Sequence, residues 1–256
     1  MSTPLNPHTE TGVEPTAVGW NHRQRRLRDL LKAIKTSYDT VVQDIDCGGL
    51  TIELLRVVDV DTLLDRLPKI QFRPDERLPY WADLWPSSRA LARYLWEVVD
   101  VQGLEVLELG CGLGLAGIAA GRKGGVVTFT DYEADALAFT RYNAYRNKCQ
   151  RAIVRHLDWH APTLTQTYAL IIAADVLYER ANFHPLVRLV DRALGPNGHF
   201  ILAEPNRPIA RDFFRLLRDH GFRYTRATET VEVSGEVSTV SIYHGGRKQP
   251  AHHHRR

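Results

Sequence analysis

Cysteine, methionine and long apolar runs are all scarce in this chain. Three cysteines in 256 residues, Cys47, Cys111 and Cys149, have neither the number nor the spacing of a disulfide framework or a metal cluster. A reducing compartment, the cytoplasm, is therefore expected. No run of about 18 apolar residues occurs, so no membrane-spanning helix is expected. The opening MSTPLNPHTETGVEPTAVGW has no apolar stretch of the kind that marks a secretory signal. It is rich in Thr, Pro and Gly, and a disordered tail is expected over 1–21. The closing GGRKQPAHHHRR reads as a second polar tail, assigned to 247–256. Charge of one sign is also missing. A formal net charge of +3 does not argue for a nucleic-acid partner. The densest basic stretch, HRQRRLRDLLKAIK (22–35), carries Leu27, Leu30, Leu31 and Ile34 at i, i+3, i+4, i+7 spacing. That is an amphipathic helix whose arginines form a solvated face.

What is present suffices for a core: 44% of the residues are hydrophobic. After the basic helix, two β-rich runs flank DCGG and predict a hairpin at about 38–58. This helix and hairpin form an N-terminal extension over 22–78, ahead of a main domain over 79–246. Pro86 opens a helix with Leu91, Tyr94, Leu95 and Val98 on one face. Strand and helix patterns then alternate, from LEVLEL (104–109) to HFILAEP (199–205). HPLVRLVDRALG is read as a helix and ARDFFRLLRDHG as another, the latter ended by Gly221. Such alternation implies a parallel sheet covered by helices on both faces. The last two runs, YTRATETVEVS and VSTVSIYH, have only Gly-Glu between them and should pair antiparallel. The expected fold is α/β: a Rossmann-like, seven-stranded, mostly parallel sheet with an antiparallel C-terminal hairpin, plus the N-terminal helix and β-hairpin.

The most informative stretch is VLELGCGLGLAG (106–117). Gly112, Gly114 and Gly117 match G-x-G-x-x-G, with Asp131 about 20 residues on, the pattern of a dinucleotide site. The register contradicts that reading. In a dinucleotide fingerprint the first glycine directly follows the strand. Here that residue is Gly110, and the third fingerprint position falls on Leu115. In the register fixed by the strand the motif is acidic-x-G-x-G-x-G: Glu108, Gly110, Gly112, Gly114. A carboxylate beside a helix N-terminus suits a cationic ligand and opposes a pyrophosphate.

This motif resembles motif I of the seven-strand S-adenosylmethionine-dependent methyltransferases. The antiparallel closing hairpin fits the same resemblance. It implies S-adenosylmethionine as cofactor, with Glu108 toward its ammonium and the glycines Gly110, Gly112 and Gly114, with Cys111 among them, letting backbone approach the ligand. Asp131 would accept the ribose hydroxyls and Asp158 the adenine amino group, with Tyr132 or Trp159 against the adenine ring. Each carboxylate alone is also an ordinary strand-end turn residue. Their convergence at one sheet edge is what points to a ligand. Cys111 has no histidine nearby in sequence to activate it as a nucleophile.

AADVLYER (173–180) closes the fourth strand of the alternating series, with Ala174 beside Asp175 and Tyr178 in a D-x-x-Y. With VLELGCGLGLAGIAA, TFTD and LDW, it resembles the family 16 protein-lysine methyltransferases over about Pro79 to Pro205. Trp85, in YWADLWPSS, matches that family's tryptophan ahead of the first core helix. The resemblance implies a protein lysine as acceptor. Asp175 would hold the acceptor amine or take its proton, and Tyr178 would offer a hydroxyl or a ring face. Trp81, Trp85 and Tyr80 would wall the channel. AEPNRP (203–208) departs from the Gly-Asp-Pro-Gly-Arg type segment of some relatives. A small amine acceptor, or a silent S-adenosylmethionine-binding module that docks through its arginine helix, remains an alternative. A monomer with neither membrane nor nucleic-acid partners is expected.

Overall fold

A computed structural model describes residues 17–60, 63, 79–233 and 235–248. Helix α1 (Ala17–Ser37) leads into strands β1 (Thr40–Asp46) and β2 (Thr51–Val57). These two strands pair antiparallel, as their turn signal predicts. Helix α1 begins at Ala17, inside the stretch 1–21 expected as a disordered tail. The helical pattern simply continues upstream of the basic stretch. Residues 1–16 and 249–256 of the two tails lie outside the described residues.

The main sheet has seven strands. After α2 (Pro86–Glu97) come β3 (Glu105–Leu109), α3 (Leu115–Arg122), β4 (Val126–Asp131), α4 (Ala134–Arg146), β5 (Ile153–His156) and β6 (Tyr168–Ala174). Then follow α5 (Phe183–Ala193), β7 (Leu194–Glu204), α6 (Ala210–Asp219), β8 (Phe222–Val233) and β9 (Glu236–Arg247). The order is β5-β4-β3-β6-β7-β9-β8. β3 to β7 are parallel, and β9 runs antiparallel between β7 and β8. Chain order reverses at β3, so the connections after β3 and β6 leave in opposite directions. A crevice opens there above the carboxyl ends of the strands.

Side chains alternate across the sheet with period two. Val106 and Ile172 pack with α2, α3 and α4, while Leu107 and Ile171 pack with α5 and α6. Both faces are covered, which is why the central strands read as nearly continuous apolar runs. One expectation is corrected. The helix read through Gly195 ends at Ala193, and the following strand starts at Leu194. Leu194 pairs with Tyr168, and the register shifts before Leu170 pairs with His199. The Gly-Pro-Asn-Gly insert is thus absorbed into an irregular strand. A Cβ on Gly198 would lie 2.9 Å from the Tyr168 carbonyl oxygen, so the bulge requires glycine.

The N-terminal hairpin shares a core with the main sheet: Ile45, Ile52 and Leu54 belong to the same buried cluster as Leu91, Ile118 and Phe139. Two asparagines, Asn143 on α4 and Asn147 just past its end, also satisfy its edge. Asn143 Oδ1 accepts from the Leu55 N–H at 2.8 Å, and its amide donates to the Leu55 carbonyl at 3.0 Å. Asn147 does the same for the N–H and carbonyl of Glu53, at 3.1 and 2.8 Å. The Asn143 amide also reaches the Leu113 carbonyl at 3.1 Å, tying the hairpin to the glycine loop.

Candidate active site

The loop between β3 and α3 is built from left-handed backbone. Gly110, Gly112 and Gly114 have φ of 64°, 51° and 85°, which side chains rarely tolerate. A Cβ on Gly112 would stand 3.2 Å from the Trp81 carbonyl oxygen. Glu108 is only 4% exposed, and its side chain lies beneath this loop. Its Oε1 accepts from the Gly117 N–H at 3.1 Å, in the first turn of α3. A Cβ on Gly117 would come 2.3 Å from Glu108 Oε2, so the third glycine of the apparent dinucleotide pattern serves to admit the carboxylate. Burial pushes Glu108 up to about 8, against the stabilising Gly117 N–H and with a further push from the charge of Asp131. Among the described residues, Glu108 Oε2 has no hydrogen-bond partner, and neither does the buried Trp159 Nε1. Both residues line the crevice, but Oε2 is turned under the loop toward Gly117.

Asp131 ends β4 and is 8% exposed. Its Oδ2 accepts from Gly112 N–H at 2.9 Å, and its Oδ1 from Glu133 N–H at 3.0 Å. It clamps the glycine loop as well as facing the cleft. Tyr132 is 41% exposed and lies tilted against the His156 ring at 5.2 Å. Asp158, two residues beyond β5, accepts from the His160 N–H at 2.8 Å in a tight turn. Trp159 packs beneath Gly110, whose added Cβ would be 3.3 Å from its ring.

Across the cleft, Ala174 ends β6 and Asp175 follows with φ 63°. That left-handed conformation is uncommon for a residue with a side chain, although Asp tolerates it better than most. Asp175 forms an ion pair with Arg207, which also meets Glu204 Oε1 at 3.2 Å. Glu204 ends β7 and is 1% exposed, and burial holds its carboxyl above the usual range despite Arg207. No helix follows Asp175 directly. Instead an extended turn runs to a short 3₁₀ segment at Arg180–Asn182, and α5 starts only at Phe183. Tyr178 still faces the crevice, because its ring meets Tyr80 edge-on at 5.8 Å. Tyr80 contacts Trp85 in the same way at 6.1 Å, and Trp85 Nε1 donates to the Tyr80 carbonyl at 2.8 Å. Trp81 divides its surface between the cleft and packing on Phe139 and Tyr38.

These residues share one cavity of about 900 Å³, which contains every residue singled out above as binding or catalytic except Gly114. Among the described residues its wall holds seven carboxyl groups, those of Asp83, Glu108, Asp131, Glu133, Asp158, Asp175 and Glu179, and neither lysine nor arginine. Such a wall favours cationic ligands. Cys111 is buried beside Thr140 Oγ1 at 3.5 Å, and burial keeps its thiol well above the usual range. It is therefore a packing residue rather than a nucleophile. Arg207, Glu204 and the His160–Asn182 contact at 2.9 Å were missed by sequence reasoning. The one signal was AEPNRP, a charged segment placed immediately after a strand.

The seven-strand order and the acidic glycine-loop crevice define a Rossmann-like methyltransferase whose cofactor is S-adenosylmethionine. A family model described as lysine methyltransferase matches residues 68–220. The chain belongs to that family. It is 32% identical over 182 residues to EEF1A lysine methyltransferase 3 of Mus musculus, covering 68% of this chain and 76% of that relative. It is 34% identical over 127 residues to the histidine protein methyltransferase 1 homolog of Dictyostelium discoideum, covering 47% of this chain and 41% of that one. Among solved structures, the glycopeptide N-methyltransferase MtfA complexed with sinefungin matches with a TM-score of 0.51 at 18% identity, over 62% of this chain and 85% of that chain. This last similarity bears on the fold alone.

Proposed function

We propose that this protein methylates lysine side chains of a protein acceptor, and that it does so in the cytoplasm. The observation that carries the reading is the crevice wall, which among the described residues has Asp83, Asp131, Glu133, Asp158, Asp175 and Glu179 beside the protonated Glu108, and neither lysine nor arginine. Both the sulfonium donor and a lysine ammonium are cations, and such a wall draws both in. The buried, unpaired thiols of Cys47, Cys111 and Cys149 suit a reducing compartment.

The roles divide along the two walls. Glu108 and the backbone of Gly110, Cys111, Gly112 and Gly114 would hold the amino-acid end of the cofactor. Asp131, at the end of β4 in the crevice wall, would accept the ribose hydroxyls. Asp158 would meet the adenine edge, with Tyr132 or Trp159 on its face. Trp85 and Ala174 would bound the reacting end. When bound, S-adenosylmethionine supplies an electrophilic methyl group on sulfur.

The acceptor amine must shed a proton to expose its lone pair, and then be held in line with that methyl. Asp175 is the group for this task. It would hold the amine or take its proton, and its ion pair with Arg207 fixes where the carboxylate stands. Tyr178, Tyr80 and Trp85 form an aromatic collar that suits the lysine stem and its cationic end. Most of the rate then comes from positioning.

The direct test uses methyl-labelled S-adenosylmethionine and a cell extract separated by size. Label in protein bands is expected. Label confined to small metabolites would replace this reading with that of a small-amine methyltransferase.

A further inference from the structure

A second concavity, of about 430 Å³, lies on the far edge of the sheet, between α6 and the β8–β9 pair. Its walls are the guanidinium side chains of Arg211, Arg215 and Arg218 from one face of α6 and of Arg226 from β8. Its floor is Phe214, Tyr224 and Tyr243. No carboxylate lines it among the described residues. Asp212, beside Arg211 on α6, is shared by Arg180 at 2.9 Å and Arg215 at 3.7 Å.

The aromatic floor holds two of the four arginines in place. Arg218 donates to the Tyr224 hydroxyl at 2.5 Å and sits 6.0 Å over the same ring. Arg226 stands 5.9 Å over Tyr243. Arg226 also donates to Ser241 Oγ at 2.8 Å and to Asn206 Oδ1 at 2.9 Å. Asn206 precedes Arg207, the partner of Asp175. One short loop therefore links the arginine groove to the acceptor side of the crevice.

We infer that this groove docks an acidic segment of the polypeptide that carries the methylated residue. The inference rests on the protein-lysine reading for its occupant. Guanidiniums recognise carboxylates through paired hydrogen bonds, and rings beneath them reduce the ordering cost of the long side chains. A nucleic-acid strand fits less well. Phe214 and Tyr243 are stacked on each other at 3.7 Å, and guanidiniums stand over Tyr224 and Tyr243, so the rings already have partners where a base would stack. A phosphate backbone would also run toward a crevice walled by carboxylates. A polypeptide with a lysine near an acidic run matches both regions at once.

The test is a binding titration of the full chain with labelled oligoglutamate, a neutral oligoglutamine and single-stranded oligouridylate at low and moderate salt. Oligoglutamate should bind, and more weakly as salt rises. The exposed pair Arg211→Gln/Arg218→Gln should weaken it by at least about tenfold, the scale of losing two charge-assisted hydrogen bonds. Affinity for S-adenosylhomocysteine should not change, which excludes misfolding. Added oligoglutamate should also slow labelling of extract proteins by the unmodified chain. Equal oligoglutamate binding by the unmodified and substituted chains would overturn the inference. So would groove-dependent binding of oligouridylate in preference to oligoglutamate. Label found only in small metabolites would instead defeat the protein-lysine reading, and that outcome is read from a separate measurement.

Discussion

The crevice and the groove at the end of the sheet are opposites in charge, and each is consistent within itself. The crevice wall has seven carboxyl groups and, among the described residues, no arginine or lysine. The groove has four arginines and no carboxylate among the described residues. A net charge of +3 averages the two and conceals both. Arg207 stands at the junction, pairing with Asp175 of the crevice and with Glu204 at the end of β7. Whole-chain charge therefore says little about what a protein attracts, and local walls say much more.

The largest expected effect comes from altering the crevice at the acceptor. Asp175→Asn should lower the single-turnover rate by about 10²–10⁴-fold, the range for general acid–base and positioning groups. Affinity for S-adenosylhomocysteine should stay within a few-fold. A normal rate would remove Asp175 from the chemistry.

Cutting the junction between the two regions comes next. Arg207→Met leaves the buried Glu204 and the nearly buried Asp175 without their cation, and an orphaned buried charge is costly. Because Arg207 is itself 27% exposed, a loss of about 2–3 kcal/mol is expected in denaturant unfolding, below the range for a fully buried pair. Unchanged stability would mean that solvent replaces the guanidinium.

On the cofactor wall, Asp131→Ala should weaken S-adenosylhomocysteine binding by about 1.5–3 kcal/mol, read by calorimetric titration. It should also lower the melting temperature, because Gly112 and Glu133 each lose an acceptor for their N–H. An intact melting temperature would show that the clamp on the loop contributes nothing to stability.

The smallest effect is in pH. Glu108, pushed up to about 8 by burial, keeps its proton near neutrality. The folded chain then binds more protons than the unfolded chain from the ordinary carboxylate range up to about 8, so Glu108 subtracts stability as pH rises through that window. A cation beside it favours the carboxylate. Affinity for S-adenosylhomocysteine should therefore rise a few-fold as pH climbs to about 8 and level off above it. Glu108→Gln should flatten that part of the profile. An identical profile in the variant would assign the titration to another group.

The sequence revealed much of the crevice because its signals are local. The offset between Gly110 and the apparent fingerprint follows from where the strand ends. Asp131 and Asp175 follow from strand ends as well. The inward turn of Glu108 was not legible, since it depends on Gly117 offering no Cβ two turns of chain away. Nor was the pairing of Asp175 with Arg207, which needs a left-handed aspartate and a loop from the next crossover. The arginine groove was half visible: Arg211, Arg215 and Arg218 show helical spacing, but Arg226 joins them only through the fold of β8 against α6. Asn143 and Asn147 gave no signal at all. An asparagine that mimics a strand partner looks like any other polar helix residue until the hairpin is docked on it.

The most direct measurement is hydrolysis to amino acids of the extract proteins labelled by this chain. The acidic, aromatic-collared crevice predicts labelled methyllysine, and its loss when Asp175→Asn replaces the unmodified chain. Labelled methylhistidine, or methyllysine formed equally well by the variant, would contradict it.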